Sequence, residues 1–338
     1  MTQLIISTPQ WSKSEPDLAD YENDVLKKQQ ALLKKELAKI AEQELRETEH
    51  SKQECLRQFK LWIAQNEDIR KCILDDSFLL RFLRVKKFSI PMAQQTLLKY
   101  LNYRKRFPHI FLEMDYSETK VNELISNGYI YVSPLRDNKG RRVVIYDLSK
   151  FDPKKHTGTD MARAHAITYE TLISNEENQI LGLTHVADIS GVNASFLTLF
   201  SVTDFAVLIR WGEQSFPMRH KEIHILNMPQ ALKYVFDFAK THMSQKLKER
   251  FMVHDSIQNL FEKLDPRCLP KEMDGGAISS KTMIQAWQNE LDDKRKRLLA
   301  IDDIELLSDR GIICSKNKEL MNQQQANLVG SFRKLEVD

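Results

Sequence analysis

A chain of 338 residues, 42% hydrophobic and 29% charged, has enough apolar surface for one sizeable domain with a helical satellite, which excludes wholesale disorder. Its 50 Lys and Arg against 47 Asp and Glu leave a formal charge of +3, so no overall field points to nucleic acid and any anion recognition must come from local patches. Cys55, Cys72, Cys268 and Cys314 show neither CxxC nor histidines at zinc spacing, the usage of reduced thiols in a cytoplasmic protein. The opening MTQLIISTPQW lacks the basic start and apolar run of a secretory leader. No stretch reaches the roughly 18 apolar residues of a spanning helix, so membrane contact is expected to be peripheral.

Residues 1–20 read as irregular around Pro9 and Pro16. A highly charged helix is predicted from 21 to about 51, carrying Leu26, Leu33, Leu37, Ile40 and Leu45. Its 26/33/40 spacing covers too few heptads for a coiled coil, and packing against the next helices is expected. Helical periodicity continues over 55–64 (Leu56, Phe59, Ile63) and 76–85, where Leu79, Phe82 and Leu83 share a face and Arg81 and Arg84 fall off it. Ser89 is a candidate N-cap with Pro91 in the first turn; Ala93, Leu97, Tyr100 and Leu101 then bury one side until Pro108 stops the helix.

After Asn127-Gly128 the grammar changes. YIYVS (129–133) and VVIYDL (143–148), joined by a turn at Asp137–Gly140, predict a hairpin. Then come helix 159–177, strand 183–189, helix 198–214, strand 222–226, helices 230–242 and 244–250, a short strand near 252–254 and helix 256–263. This alternation argues for an α/β domain with a mostly parallel sheet. Helix 280–300 follows, with Met283, Trp287 and Leu291 on one side, and then a polar tail from about 309. The expected division is an extension over 1–50, a helical unit over 51–115, the α/β domain over 116–277, and a helix with its tail over 278–338.

The parts that an α/β enzyme needs are missing. There is no GxGxxG after a strand, no GxxxxGK[ST], no GxSxG and no HExxH. Asp188 could mimic a ribose-binding acid, but Gly182 alone makes no glycine loop before it. His220 and His224 lie four apart on a strand with no third ligand nearby, and read as structural histidines. No catalytic residue, cofactor or metal is predicted.

The most informative segment is 216–250. On a helix from 231 to 243, Ala231, Leu232, Tyr234, Val235, Phe236, Phe238, Ala239 and Met243 spread over roughly 200°, twice the stripe of a surface helix. Such a helix needs apolar neighbours on two sides. Beside it, Arg219 and Lys221 share a strand face, and Lys246 and Arg250 share a helix face. Cations next to an exposed apolar helix suit docking on anionic lipid headgroups. The same residues also fit a buried helix ringed by solvated lysines.

DDSFLLRFLRVKKF (75–88), VVIYDLSKFDP (143–153), SFPMRHKEIHILNMP (215–229) and QKLKERFMVH (245–254), in this order and spacing, resemble the CRAL-TRIO lipid-transfer family, in its tocopherol-transfer, retinaldehyde-binding and clavesin branch. The similarity runs from about Cys55 to Met283. It implies a helical N-terminal bundle packed on an α/β lobe, with a mostly parallel five-stranded sheet beneath an apolar cavity and a mobile gate helix. The gate would span 227–250, with Leu232, Val235, Phe236, Phe238 and Ala239 on it, and Phe236, Phe238 or their neighbours entering the membrane interface.

The resemblance further implies a phosphoinositide-binding cleft at Arg219, Lys221, Lys246 and Arg250, with Lys86 from the helical unit. It places the cavity wall at Ala162, His165, Tyr169, Leu183, Ala187, Leu208, Trp211, Phe216 and Ile223. Family members carry smaller hydroxyl residues at 165 and 169, aromatics at 162 and 187, and aliphatics at 211 and 220, so the pocket has been reshaped. His165 and Tyr169, one helical turn apart, could hold a ligand hydroxyl or carbonyl, or could simply bond within the core. Met273 and Asp274 in LPKEMDGG depart from the usual closing loop.

The implied function is intracellular carriage of a small tocopherol- or retinoid-like lipid between phosphoinositide-containing membranes, by a protein peripheral to endosomal or other internal membranes. Phosphatidylinositol/phosphatidylcholine exchange and a lipid-regulated adaptor recruiting a partner through helix 21–51 are the alternatives.

Overall fold

The computed structural model describes residues 36–193, 195–196, 199, 212–241 and 243–313. The side chains of Ala231, Val235 and Ala239 fall outside this description, as do Leu208, Trp211, most of helix 198–214 and the tail beyond 313.

Of the predicted helix 21–51, the described part runs from 36 through a π-helical turn, Ala41–Leu45, and stops at Arg46 in a left-handed conformation (φ 66°). Thr48 then opens a separate helix, α1 (Glu49–Gln65), through reciprocal bonds with Ser51. That capping box splits what periodicity read as one helix, because it satisfies amide donors that would otherwise need a preceding turn. β1 (Ile69–Lys71), α2 (Asp76–Val85) and α3 (Ile90–Arg106) follow, the last with Ser89 at its N-cap but without a side-chain capping bond. Pro108 opens the short α4 (Pro108–Phe111), since a proline costs no donor in a first turn. α5 (Thr119–Ser126) leads into the α/β lobe.

The lobe holds one five-stranded sheet: β2 (Ile130–Arg136), β3 (Arg142–Asp147), β4 (Leu183–Asp188), β5 (His220–Leu226) and β6 (Phe251–His254), in that spatial order. The β2–β3 hairpin is antiparallel and every later pairing is parallel. Between β3 and β4 stand α6 (Gly158–Ile173), capped by Thr157 and Asp160, and α7 (Glu176–Leu181). Asn175 caps α7, so the predicted helix 159–177 is also two. Between β5 and β6 run α8 (Gln230–Thr241) and α9 (Gln245–Lys248). The short α10 (Ile257–Phe261) and the long α11 (Ser280–Leu299) complete the lobe, and α11 buries Met283, Trp287 and Leu291. β7 (Glu305–Leu306) returns to pair with β1; these strands are too short for any alternation to show in sequence.

At the start of β4 a glycine is demanded by geometry. Gly182 sits at φ +79°, where an added Cβ would lie 2.5 Å from the Arg219 carbonyl. That close approach lets Leu183 donate its amide to the same carbonyl and brings the segment before β5 against the end of α7.

The helical unit is locked to the lobe by buried arginines. Arg81 and Arg84 do lie off the Leu79/Phe82/Leu83 face, yet both are only 1–2% exposed. Arg81 Nη1 donates to Glu170 Oε2 at 2.8 Å, while Tyr100 Oη donates to Glu170 Oε1 at 2.5 Å. Arg84 meets Glu47, Glu176 and Gln179, tying the N-terminal segment, α2 and α7 together. Removing one partner of a buried pair strands the other charge in a low dielectric. Arg81→Met is therefore expected to lower stability by about 3–5 kcal/mol, read as the shift in urea unfolding. A loss below about 1 kcal/mol would place this pair with ordinary surface ion pairs.

Candidate functional site

The cavity face of the sheet follows from register. Tyr146, Ala187 and Ile225 form one cross-strand row, and Val144, His185 and Ile223 the next. One row further, Leu183 pairs with His220 while Thr184 pairs with Glu222, so β5 carries an extra residue, Lys221. This bulge turns His220 onto the same face as Ile223 and Ile225.

Above this face lies a cavity of about 530 Å³, walled by the sheet, by α6, by the segment around Phe216 and by α8. Of the expected wall residues, Ala162, His165, Tyr169, Ala187, Phe216 and Ile223 line it. Leu183 does not: it stands at the first position of β4, one pleat beyond His185, and is fully buried in the surrounding core. Tyr129, Tyr146 and His185 join the wall, where sequence reasoning did not place them, and so does His220, which the resemblance counted as a bulky departure in the pocket while the strand pattern read it as structural. The alternation of His185 with Ala187 was the available signal for the first histidine. His220 needed knowledge of the bulge.

The polar groups of the wall bond to one another. Tyr129 Oη lies 2.8 Å from His165 Nε2, and His165 Nδ1 lies 3.2 Å from Tyr169 Oη. Tyr169 and Tyr146 hydroxyls are 2.8 Å apart, Tyr146 Oη is 2.9 Å from His185 Nδ1, and His185 Nε2 is 3.0 Å from His220 Nδ1. Burial pushes the imidazoles of His165 and His220 down to about 4 and that of His185 well below its ordinary value, with neighbouring histidines adding to the last. Burial likewise raises the Tyr169 phenol to about 12. The band is therefore neutral near pH 7. His224, by contrast, faces away and bonds His254 at 2.9 Å, a structural arrangement.

α8 covers the cavity. Leu232 and Phe236, one turn apart, face inward and line it, and the Phe236 ring meets Phe251 at 5.5 Å. Tyr234 and Phe238, rotated about 200° from that pair, face outward at 80% and 45% exposure. The 200° apolar arc is thus two stripes back to back. Phe236, expected among the outward residues, belongs to the inner stripe because it is an i+4 neighbour of Leu232; Tyr234 takes the outer position. Ser244, which caps α9, bonds through its hydroxyl to Glu213 at the cavity mouth.

The basic cleft lies at the adjoining end of the sheet. Lys221 Nζ and Arg219 Nη2 both donate to Glu44 Oε2, at 2.5 and 2.7 Å, and Arg219 also donates to the Ile180 carbonyl. Burial, followed by the charge of Arg219, brings the Lys221 ammonium down to about 8. Burial raises Glu44, but its bonds to Lys221 and Arg219 prevail and hold its carboxyl below the usual range. Lys246 and Arg250 make no ion pair among the described residues. Both are lowered, by burial first, then Lys246 chiefly by Arg250, and Arg250 by Arg219. Lys86 borders a second groove of about 780 Å³ and is lowered by burial, then by Lys99 and Lys246. Among the described residues no His, Cys, Asp and Glu cluster could hold a metal, and no helix is long and apolar enough to cross a membrane.

Comparison with known proteins bears on this geometry. The profile of the CRAL/TRIO domain matches residues 126–275, and that of a Pinta-like UBA domain matches 48–121. A human "Alpha-tocopherol transfer protein-like" protein is 34% identical over 205 residues, covering 60% of this chain and 59% of its own length. Clavesin-1 from Mus musculus is 26% identical over 265 residues, covering 78% and 75%. The crystal structure of Sfh5 superimposes with a TM-score of 0.49 and 15% identity over 74% of this chain and 98% of its own. The match therefore spans about three fifths of the tocopherol-transfer-like relative.

The neutral histidines set a pH dependence. Each takes a proton near pH 6.5 when unfolded; when folded, His165 and His220 take one only at about 4, and His185 is lowered in the same direction. Their contribution is complete above pH 6.5 and is lost as pH falls from there through about 4. Stability is expected to drop by on the order of 1 kcal/mol per histidine per pH unit across that window. Urea unfolding at pH 7.5 and 5 should show a shallower pH slope for His165→Leu; an unchanged slope would mean that burial of this imidazole does not govern the loss.

Proposed function

We propose, from the chain's membership of the CRAL-TRIO family, that this protein binds one small lipophilic molecule in its cavity and exchanges it at phosphoinositide-bearing membranes. The carrying observation is a single helix, α8, with Leu232 and Phe236 in the cavity and Tyr234 and Phe238 exposed, directly before the helix that carries Lys246. A tocopherol- or retinoid-like molecule suits a largely hydrocarbon wall with one polar band. The proposed setting is the cytoplasmic face of endosomal or other internal membranes.

The physics favours a carrier. A lipid with some fifteen buried methylenes faces about 12 kcal/mol on entering water, so unassisted escape from a bilayer is slow. A second apolar cavity held at the bilayer surface removes that step. Lys246 and Arg250, which form no ion pair among the described residues, would meet the headgroup first. Arg219 and Lys221 would follow by exchanging Glu44 for a phosphate. Tyr234 and Phe238 would enter the interface and α8 would swing out. Headgroup binding promotes this opening only by favouring the open arrangement over the closed one.

The combined substitution Lys246→Glu and Arg250→Glu is expected to slow transfer of a fluorescent lipid between phosphoinositide-containing vesicles at least tenfold. Glu44→Gln, which frees two cations, should strengthen vesicle binding severalfold. Transfer that is indifferent to the charge reversal refutes the docking role.

A further inference from the structure

The polar band in the cavity wall carries an inference about ligand chemistry, resting on the carrier reading above. Tyr129, His165, Tyr169, Tyr146, His185 and His220 form one unbranched line in which each neighbouring pair is bonded. Their side chains make no other hydrogen bond among the described residues.

A neutral phenol brings one hydrogen, and a neutral imidazole brings one donor and one acceptor nitrogen. Six groups thus bring six hydrogens to five bonds. One hydrogen is left over in every arrangement. Inside the line, His165 and His185 must each accept on one nitrogen and donate from the other, so the sense of the bonds can change only at Tyr169 or Tyr146. The spare donor then appears at an end, at His220 Nε2 or at Tyr129 Oη, or at a central tyrosine that accepts from both sides. All these groups line the cavity.

A polar hydrogen left unbonded in an apolar cavity costs the desolvation of its donor. We infer that the cavity is built to take a neutral lipid carrying an oxygen acceptor, a hydroxyl, ether or carbonyl, seated against the line of tyrosines and histidines. A bare hydrocarbon leaves the spare hydrogen unmet. An ionised carboxylate or phosphate brings a full charge to a wall whose bonded line contains no cation and no carboxylate, and burying it there is costly. Arg250 lies near His220 but belongs to the cleft outside.

The test uses the full chain and a neutral hydrocarbon fluorophore, diphenylhexatriene, as cavity probe. Hexadecanol, its methyl ether, hexadecane and palmitate, supplied from the same neutral vesicles at pH 7.4, compete for the probe. The alcohol and the ether should each displace it about threefold to tenfold better than the alkane, the span of one net hydrogen bond. Palmitate should be weaker than the alcohol. The advantage over the alkane should shrink in a double variant, Tyr129→Phe with His220→Leu, that still binds the probe, which keeps a folding failure distinguishable.

Equal displacement by alcohol, ether and alkane overturns the inference and leaves the carrier reading standing, as does stronger displacement by palmitate. An ether that behaves like the alkane while the alcohol binds well also overturns it, because the line would then be accepting rather than donating. Failure of the probe to enter the wild-type protein overturns the carrier reading and this inference with it.

Discussion

The ion pair of Arg81 with Glu170 fixes how everything around the cavity is turned. Glu170 directly follows Tyr169 on α6, so the two side chains leave the helix about 100° apart. Holding Glu170 against Arg81 and Tyr100 of the helical unit obliges Tyr169, and His165 a turn earlier, to face the sheet. A rotation of α6 by one residue that put Glu170 in the place of Tyr169 would set a carboxylate in the cavity and take it away from Arg81. Both charges are almost fully enclosed, and such pairs add little net stability over an apolar substitute. What the pair supplies here is orientation, since the misrotated state leaves two charges unmatched.

Keeping a cavity open has its own cost, because side chains facing a void forgo contacts that a packed core would supply. This structure limits the cost in two ways. The polar side chains from Tyr129 to His220 bond to one another and leave a single hydrogen unmet, and the rings that carry them stack: Tyr146 lies 5.2 Å from His165 and 6.0 Å from His185. The covering helix meets the lobe through Phe236 on Phe251, and Ser244, just after its end, bonds Glu213. A cover with a few inner anchors and an outward apolar stripe is cheaper to lift than one buried on both sides, and the outer stripe favours an apolar surface once lifted.

The fold was largely legible because its signals are local. Alternation gave the hairpin and the parallel strands, and the change from helical to strand periodicity after Asn127-Gly128 marks where the α/β sheet begins. Much of the cavity wall could be named through family resemblance, but its polar character could not. The line from Tyr129 to His220 joins residues from β2, β3, β4, β5 and α6 or their ends, brought together by register and by one extra residue in β5. Nothing in local sequence encodes that bulge. Arg81 and Arg84 looked like off-face charges because their partners stand 89 and 92 residues away. The break at Arg46 was likewise hidden, since a threonine followed by a serine three residues on is a weaker cap signal than one followed by Glu or Gln.

The cleft follows the opposite logic to the cavity. There, positive groups are gathered with few counter-charges: beyond the effect of burial, Arg250, Lys87 and Arg219 lower Lys246, and Arg219 and Arg141 lower Arg250, with Glu213 opposing in both cases. Such crowding raises the free energy of the unliganded state, and an anion that enters returns it as binding energy. Glu44 already relieves part of it, through a carboxylate oxygen shared by Arg219 and Lys221. The N-terminal segment that carries Glu44 is anchored independently, by Glu47 on Arg84 and by Leu45 and Ala41 packed on Ile180. An incoming phosphate therefore has to displace one carboxylate and need not unseat the segment. On the proposed reading, the two halves of the site divide the work by charge: a neutral, internally bonded interior would discriminate among oily molecules, and an under-neutralised rim would respond to the surface they come from.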